Sequence, residues 1–200
     1  MKKTSLFSKL ALGAAVFTLS LGATSCKQEA KPEDSKEAAE EANEEKFDDT
    51  ASDSLEDDSS YLVFAAETDL KEIELGKLAE TKGVHAETKA FGKMMAEMHT
   101  KSFAELKTAA AAKNITIPQT VTEDGNDAFK DLNDKTGHDF DKAYADAMVD
   151  GHEKAINKIE KAADKAKDPD VKAWAAKLLP NLRSHLDQAK TLQSTVDAAK

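Results

Sequence analysis

Cysteine is almost absent from this chain. Cys26 stands alone among 200 residues, which excludes an intrachain disulfide and any cysteine-rich metal knuckle. Glycine and proline are scarce, at 8 and 4 residues, while Ala and Lys are abundant, and that balance leans all-helical. A basic excess is missing as well. The 28 Lys+Arg face 38 Asp+Glu, a formal charge of −10, and a nucleic-acid binder needs a basic face. Apolar content is modest: 40% of residues are hydrophobic and the mean hydropathy is −0.57, which excludes a multi-span membrane protein. The length allows one ordinary domain plus extras, not two full domains.

The charge is unevenly placed. Residues 1–26 hold three lysines (Lys2, Lys3, Lys9) and no acid. Residues 27–60 hold 14 acids against 4 lysines, and residues 61–200 hold 24 acids against 21 bases. The acidity therefore belongs to a segment preceding the main domain, not to the domain's own surface. Ahead of it, Met1–Lys9 is a short basic region and Leu10–Ala23 is apolar and uncharged. That stretch is too short to span a membrane and has the flanks of a secretory signal. It closes on Ala23-Thr24-Ser25-Cys26, which resembles a bacterial lipoprotein signal over residues 1–25. The resemblance implies lipidation at Cys26 and attachment to a membrane of the cell envelope, the outer membrane above all, with the domain in the periplasm or at the cell surface. Residues 26–60 then read as an acidic disordered linker with almost nothing apolar to bury, able to reach roughly 110 Å if stretched.

From Tyr61 the pattern turns helical. Apolar periodicity and its stop signals predict helices over about 61–82, 85–113, 139–166 and 170–198, with a short helix near 126–134 in the connection. Asn114-Ile-Thr-Ile-Pro118 breaks the second helix. Two hairpins of long helices joined by a long crossover is the layout of a ferritin-like antiparallel four-helix bundle, residues 61–200. The last helix has the clearest register: Val171, Ala175, Leu178, Leu182, His185, Ala189, Leu192 and Val196 alternate in steps of four and three. Pro180 lies inside it and is expected to free the carbonyl of Ala176.

The same helical wheel places one polar group on the inner face of each long helix. In the third, His152 centres the face of Asp141, Ala145, Met148, Ala155, Ile159 and Ala166. In the second, His99 joins Met95, Ser102 and Leu106, with Phe91 and Met98 flanking. In the first, Glu72 sits amid Tyr61, Ala65, Leu75, Gly76 and Ala79, with Asp69 inside that sector but off centre. Glu67, Lys71 and Glu74 fall on the opposite side. Counting from the hairpin turns puts Glu72, His99, His152 and His185 at similar heights, roughly 18 to 25 Å along the axes. A buried carboxylate and three imidazoles need partners, at about 1–3 kcal/mol for each unsatisfied group. Two outcomes stay open. One is a single divalent transition metal, Zn, Fe, Mn or Cu, on these four ligands. The other is a metal-free hydrogen-bonded cluster that only fixes helix register in a non-catalytic structural or interaction lipoprotein. Met95 and Met148 each precede a histidine by one turn. Their sulfurs are candidate soft ligands or plain core fillers. Nothing else reads as catalytic.

The stretches FAAETDLKEIELGKLAETKG, HAETKAFGKMMAEMHTKSFAEL, ITIP, TGHDFDKAYADAMVDGHEKA and KDPDVKAWAAKLLPNLRSHLDQAK occur in that order. Together they resemble the bacterial family called domain of unknown function 4142, over essentially 61–195. The resemblance implies a ferritin-like four-helix fold, an exported or envelope-anchored setting and a biochemical role that is unsettled. Its motifs fall on Glu72, His99, Phe140-Asp141…Tyr144, His152 and Leu179-Pro180…His185. The family usually carries Asp where this chain has Met98. Ferritin-type di-iron sites need paired Glu-x-x-His elements, but Ala96, Val149 and Leu182 stand three residues before the histidines. Metal handling or redox protection in the envelope is the functional expectation, with membrane contact through lipid at Cys26 and no nucleic-acid partner.

Overall fold

The computed structural model describes residues 34–47 and 53–199. The basic leader, its apolar stretch and Cys26 lie outside the described residues. Every regular element described is a helix: α1 Ser35–Phe47, α2 Asp53–Lys82, α3 Ala86–Ala112, α4 Glu123–Asn133, α5 Gly137–Lys165 and α6 Pro169–Ala198. The four long helices α2, α3, α5 and α6 are those the periodicity predicts, and α4 is the short helix of the connection.

Helix ends follow local chemistry. Asn114 adopts a left-handed φ of 55° just past α3, and the Ile115 N–H returns to the Ala110 carbonyl. That closure satisfies an end carbonyl and stops the helix four residues before Pro118 acts. Asp168 caps α6 by accepting from the N–H groups of Asp170 and Val171, with Pro169 in the first turn, where its missing N–H is no loss. Thr122 caps α4 through the Gly125 N–H at 3.3 Å.

Two apolar cores stack along the bundle. One gathers Leu62, Ala66, Leu106, Ile159, Ala175 and Leu182; the other gathers Leu75, Met95, Tyr144, Met148, Ala189 and Leu192. Chain numbers rise from the first core to the second along α2 and α6 and fall along α3 and α5. The helices therefore run up, down, down, up, and residues 113–136 carry the chain back along the length of the bundle. This is the crossover connectivity of ferritin-like bundles. Each hairpin turn is held by a buried carboxylate from the other hairpin. Asp141 of α5 accepts from Val84 and His85 N–H at 3.1 and 2.8 Å, and Asp58 of α2 accepts from Lys167 and Asp168 N–H at 3.0 and 2.7 Å. Both carboxylates are about 1% exposed or less, so these charged hydrogen bonds fix the hairpins end to end. Between α2 and α3, Gly76 and Gly92 allow close approach: a Cβ on either would lie under 3 Å from the opposing backbone.

The main departure from the sequence reading is at the acidic segment. Part of the stretch read as a disordered linker forms α1 and the first turns of α2. In α1 the covered positions are Ala39, Asn43 and Phe47, a stripe at four-residue spacing. Its central member is polar and hides the pattern from a hydrophobicity count. Asn43 exchanges two hydrogen bonds with the Thr116 backbone, at 2.8 and 2.7 Å, and so clasps the crossover. Phe47 joins the first core beside Ile115 and Ile117. A second correction follows. Glu67, assigned to the charged outer face of its helix, is only 6% exposed, because it pairs with Lys36 of α1 at 3.0 Å and accepts from Thr122 at 3.3 Å. Met98, read as flanking the inner stripe, is instead 39% exposed.

Candidate metal centre

The polar layer lies between the two apolar cores on every long helix. On α2 the first core ends at Ala66 and the second begins at Leu75, leaving Asp69 and Glu72 between them; on α3, His99 lies between Met95 and Leu106. His152 lies between Val149 and Ala155 on α5, and His185 between Leu182 and Ala189 on α6. Glu72, His152, His99, Asp69 and His185 are all buried, at 1, 2, 3, 5 and 7% exposure. Each helix supplies its member at a core position of its own periodicity, so burial is forced by the packing of neighbours.

The three histidines converge. Their ring centroids form a nearly equilateral triangle with edges of 5.8, 5.6 and 5.4 Å, and the rings are steeply inclined to one another. One ligand-capable nitrogen from each lies within 4.8 Å of the other two. Nitrogens bound at about 2.0–2.1 Å to one tetrahedral ion stand about 3.4 Å apart, so small side-chain adjustments separate the observed spacing from the one a single ion requires. Two rings are held from behind. His99 Nδ1 lies 2.7 Å from Asp69 Oδ1, and His152 Nδ1 lies 2.8 Å from the Met148 carbonyl. A carbonyl only accepts, so His152 Nδ1 carries the proton and Nε2 is the bare nitrogen in the neutral ring. His99 Nε2, His152 Nε2 and His185 Nδ1 are buried without a hydrogen-bond partner. This is the arrangement in which an outer acceptor orients an imidazole whose other nitrogen is free for a metal.

Electrostatics separate the three rings. Burial pushes His152 below its ordinary value, and it stays there despite the nearby Glu72 charge, helped down by His99. Burial, with repulsion from His99 and His152, lowers His185 to about 4. His99 moves the other way. Burial opposes its charge, but the Asp69 hydrogen bond and the Glu72 and Asp69 charges outweigh that and raise it. Asp69 is itself raised by burial, against hydrogen bonds from His99 and Ser102. Tyr144 is pushed well above its ordinary value by burial and by Glu72.

The triad His99, His152 and His185 therefore meets as its spacing predicts, with Asp69 as the partner of His99. Glu72 reaches the same layer but does not belong to the group within 4.8 Å. It stands close enough to act on His99, His152 and Tyr144, and its Oε2 has no partner. The four residues expected to share one ion are thus three converging imidazoles with a carboxylate beside them. Tyr144 lies buried in the second core with its hydroxyl unpartnered. The side chains of Met95 and Met148 also belong to that core, and it is the main-chain oxygen of Met148 that meets His152. Sequence reasoning missed Gly151, whose neighbour across the interface is Glu72. A glycine in the middle of a strong helix, next to a histidine, was the available signal.

A family model described as a domain of unknown function, DUF4142, matches residues 40–192. No curated protein and no solved structure matches the chain.

Proposed function

We propose that this chain, which belongs to the DUF4142 family, binds one divalent transition metal at His99, His152 and His185. The observation that carries this is the convergence of three buried histidines from three helices, one ligand-capable nitrogen of each within 4.8 Å of the others, where every ring has a buried unpartnered nitrogen and two rings are backed by acceptors. Each such nitrogen left bare costs about 1–3 kcal/mol, and a cation satisfies all three at once. Imidazole donors suit Zn, Fe and Cu, with the nearby carboxylates widening the range to Mn. The role we assign is metal handling or redox protection in the cell envelope.

The envelope setting is part of the same proposal. The leader and Cys26 make the chain a lipoprotein attached to a membrane by acyl chains at that residue.

Elemental analysis of untagged protein tests the metal reading. One equivalent of metal in the wild type, lost in His99→Ala and His185→Ala, is the expected result. Absence of stoichiometric metal, with melting unchanged by chelator, would refute it and favour a metal-free cluster that sets helix register. Cys26→Ala tests the anchor: the protein should move from the membrane fraction to the soluble one.

A further inference from the structure

Gly151 lies in the middle of α5, where glycine is the poorest helix former after proline. Its backbone does not need glycine, since the positive-φ glycine among the described residues is Gly137. Close helix approach does not need it either. Gly76 and Gly92 face opposing backbone, but a Cβ on Gly151 would meet one atom within 4 Å outside its own helix, Glu72 Oε1 at 3.1 Å. That is tighter than ordinary van der Waals contact, and the carboxylate would have to shift.

Glu72 is itself unexplained by the triad. It is 1% exposed, and its Oε2 has no partner. An unpaired buried carboxylate is costly unless a cation lies nearby. A bound metal requires all three imidazoles to be neutral, and Asp69 and Glu72 then bring two negative charges to the layer. A divalent cation balances both; a monovalent one leaves a charge over. We infer that Gly151 is a positioning residue that makes room for the Glu72 carboxylate beside the triad, and that this pair makes the site prefer divalent over monovalent cations. The inference rests on the reading of the triad as a metal site.

Competition titrations of the full-length protein with Zn(II) and with Ag(I), a soft monovalent probe, test it. Gly151→Ala should weaken Zn(II) binding about 10-fold or more, in the range of outer-partner substitutions, and leave Ag(I) within about twofold. Glu72→Gln, which keeps the shape and removes the charge, should do the same and decides the matter if Gly151→Ala misfolds. In a Glu72→Ala background, Gly151→Ala should have no further effect, because the glycine acts through that carboxylate. Zn(II) binding unchanged in both single variants, or equal losses of Zn(II) and Ag(I), would overturn the inference while leaving the triad reading intact. A wild type that binds neither ion would overturn both.

Discussion

Acidification of the metal-free protein gives the sharpest test of the electrostatics of the polar layer. His185 is held neutral in the fold down to about pH 4, against an ordinary value of 6.5. Above pH 6.5 the ring is neutral in both folded and unfolded chains and contributes no slope. Between 6.5 and about 4 the unfolded chain takes up a proton that the folded chain refuses, so stability falls as pH falls. Below about 4 both states hold the proton and the loss is complete. At about 1.4 kcal/mol for each unit the interval is worth on the order of 3 kcal/mol, which solvent screening brings to roughly 2–3 kcal/mol. His152 is lowered as well and adds loss in the same direction. His99 acts oppositely and in another window. Its raised value makes a contribution that is full below pH 6.5 and lost as pH rises through the folded value. The combined contribution of these three histidines to stability of the metal-free protein should therefore peak near pH 6.5. Urea unfolding at half-unit steps from pH 7.5 to 4, for the wild type and for His185→Leu, isolates the term. Leucine keeps the inner stripe of α6, and the many carboxylates titrate alike in both proteins and cancel. The wild type should lose roughly 2–3 kcal/mol more than the variant between pH 6.5 and 4. Parallel curves would refute a desolvated, neutral His185.

Three further outcomes follow from the same contacts. Asp69→Asn keeps the size of the side chain but loses the charge that orients His99, and should weaken metal binding 10- to 100-fold, read by competition titration. Asp141→Ala and Asp58→Ala each strip two backbone N–H groups of a buried acceptor at a hairpin turn. Each should cost about 2–4 kcal/mol and lower the melting midpoint by roughly 4–16 °C, measured by calorimetry. Asn43→Ala should free α1 from the crossover, at about 1–3 kcal/mol, and raise amide exchange at Thr116.

Much of this molecule is legible in one dimension because long helices repeat a simple rule. Every seventh step of α6 returns to the core, and seven of its eight stripe positions are buried, Leu178 being partly covered. The same rule placed His99, His152 and His185 inward, and counting from the turns placed them level. Polarity at a core position was the signal, since a histidine there has to meet something. Asp69 could be read as inward but not as the partner of His99, because that bond depends on how closely α2 and α3 approach at Gly76 and Gly92.

The remaining features rest on contacts that periodicity does not encode. The helix α1 is polar by composition, and only its seat against Thr116 and Glu67 turns Asn43 and Lys36 into structural residues. Glu67 reads as an exposed acid until α1 and α4 cover it. Hydrophobic pattern alone thus determined that the four long helices form, which face of each carries the apolar stripe and which inward polar side chains share a level, because burial of such a stripe is a local property repeated every turn. Tertiary structure decided how the level is wired: which nitrogen is backed by which acceptor, how far Glu72 stands from the triad and why Gly151 is small. Those depend on distances of a few ångströms between helices far apart in the chain, which no spacing along a single helix can specify.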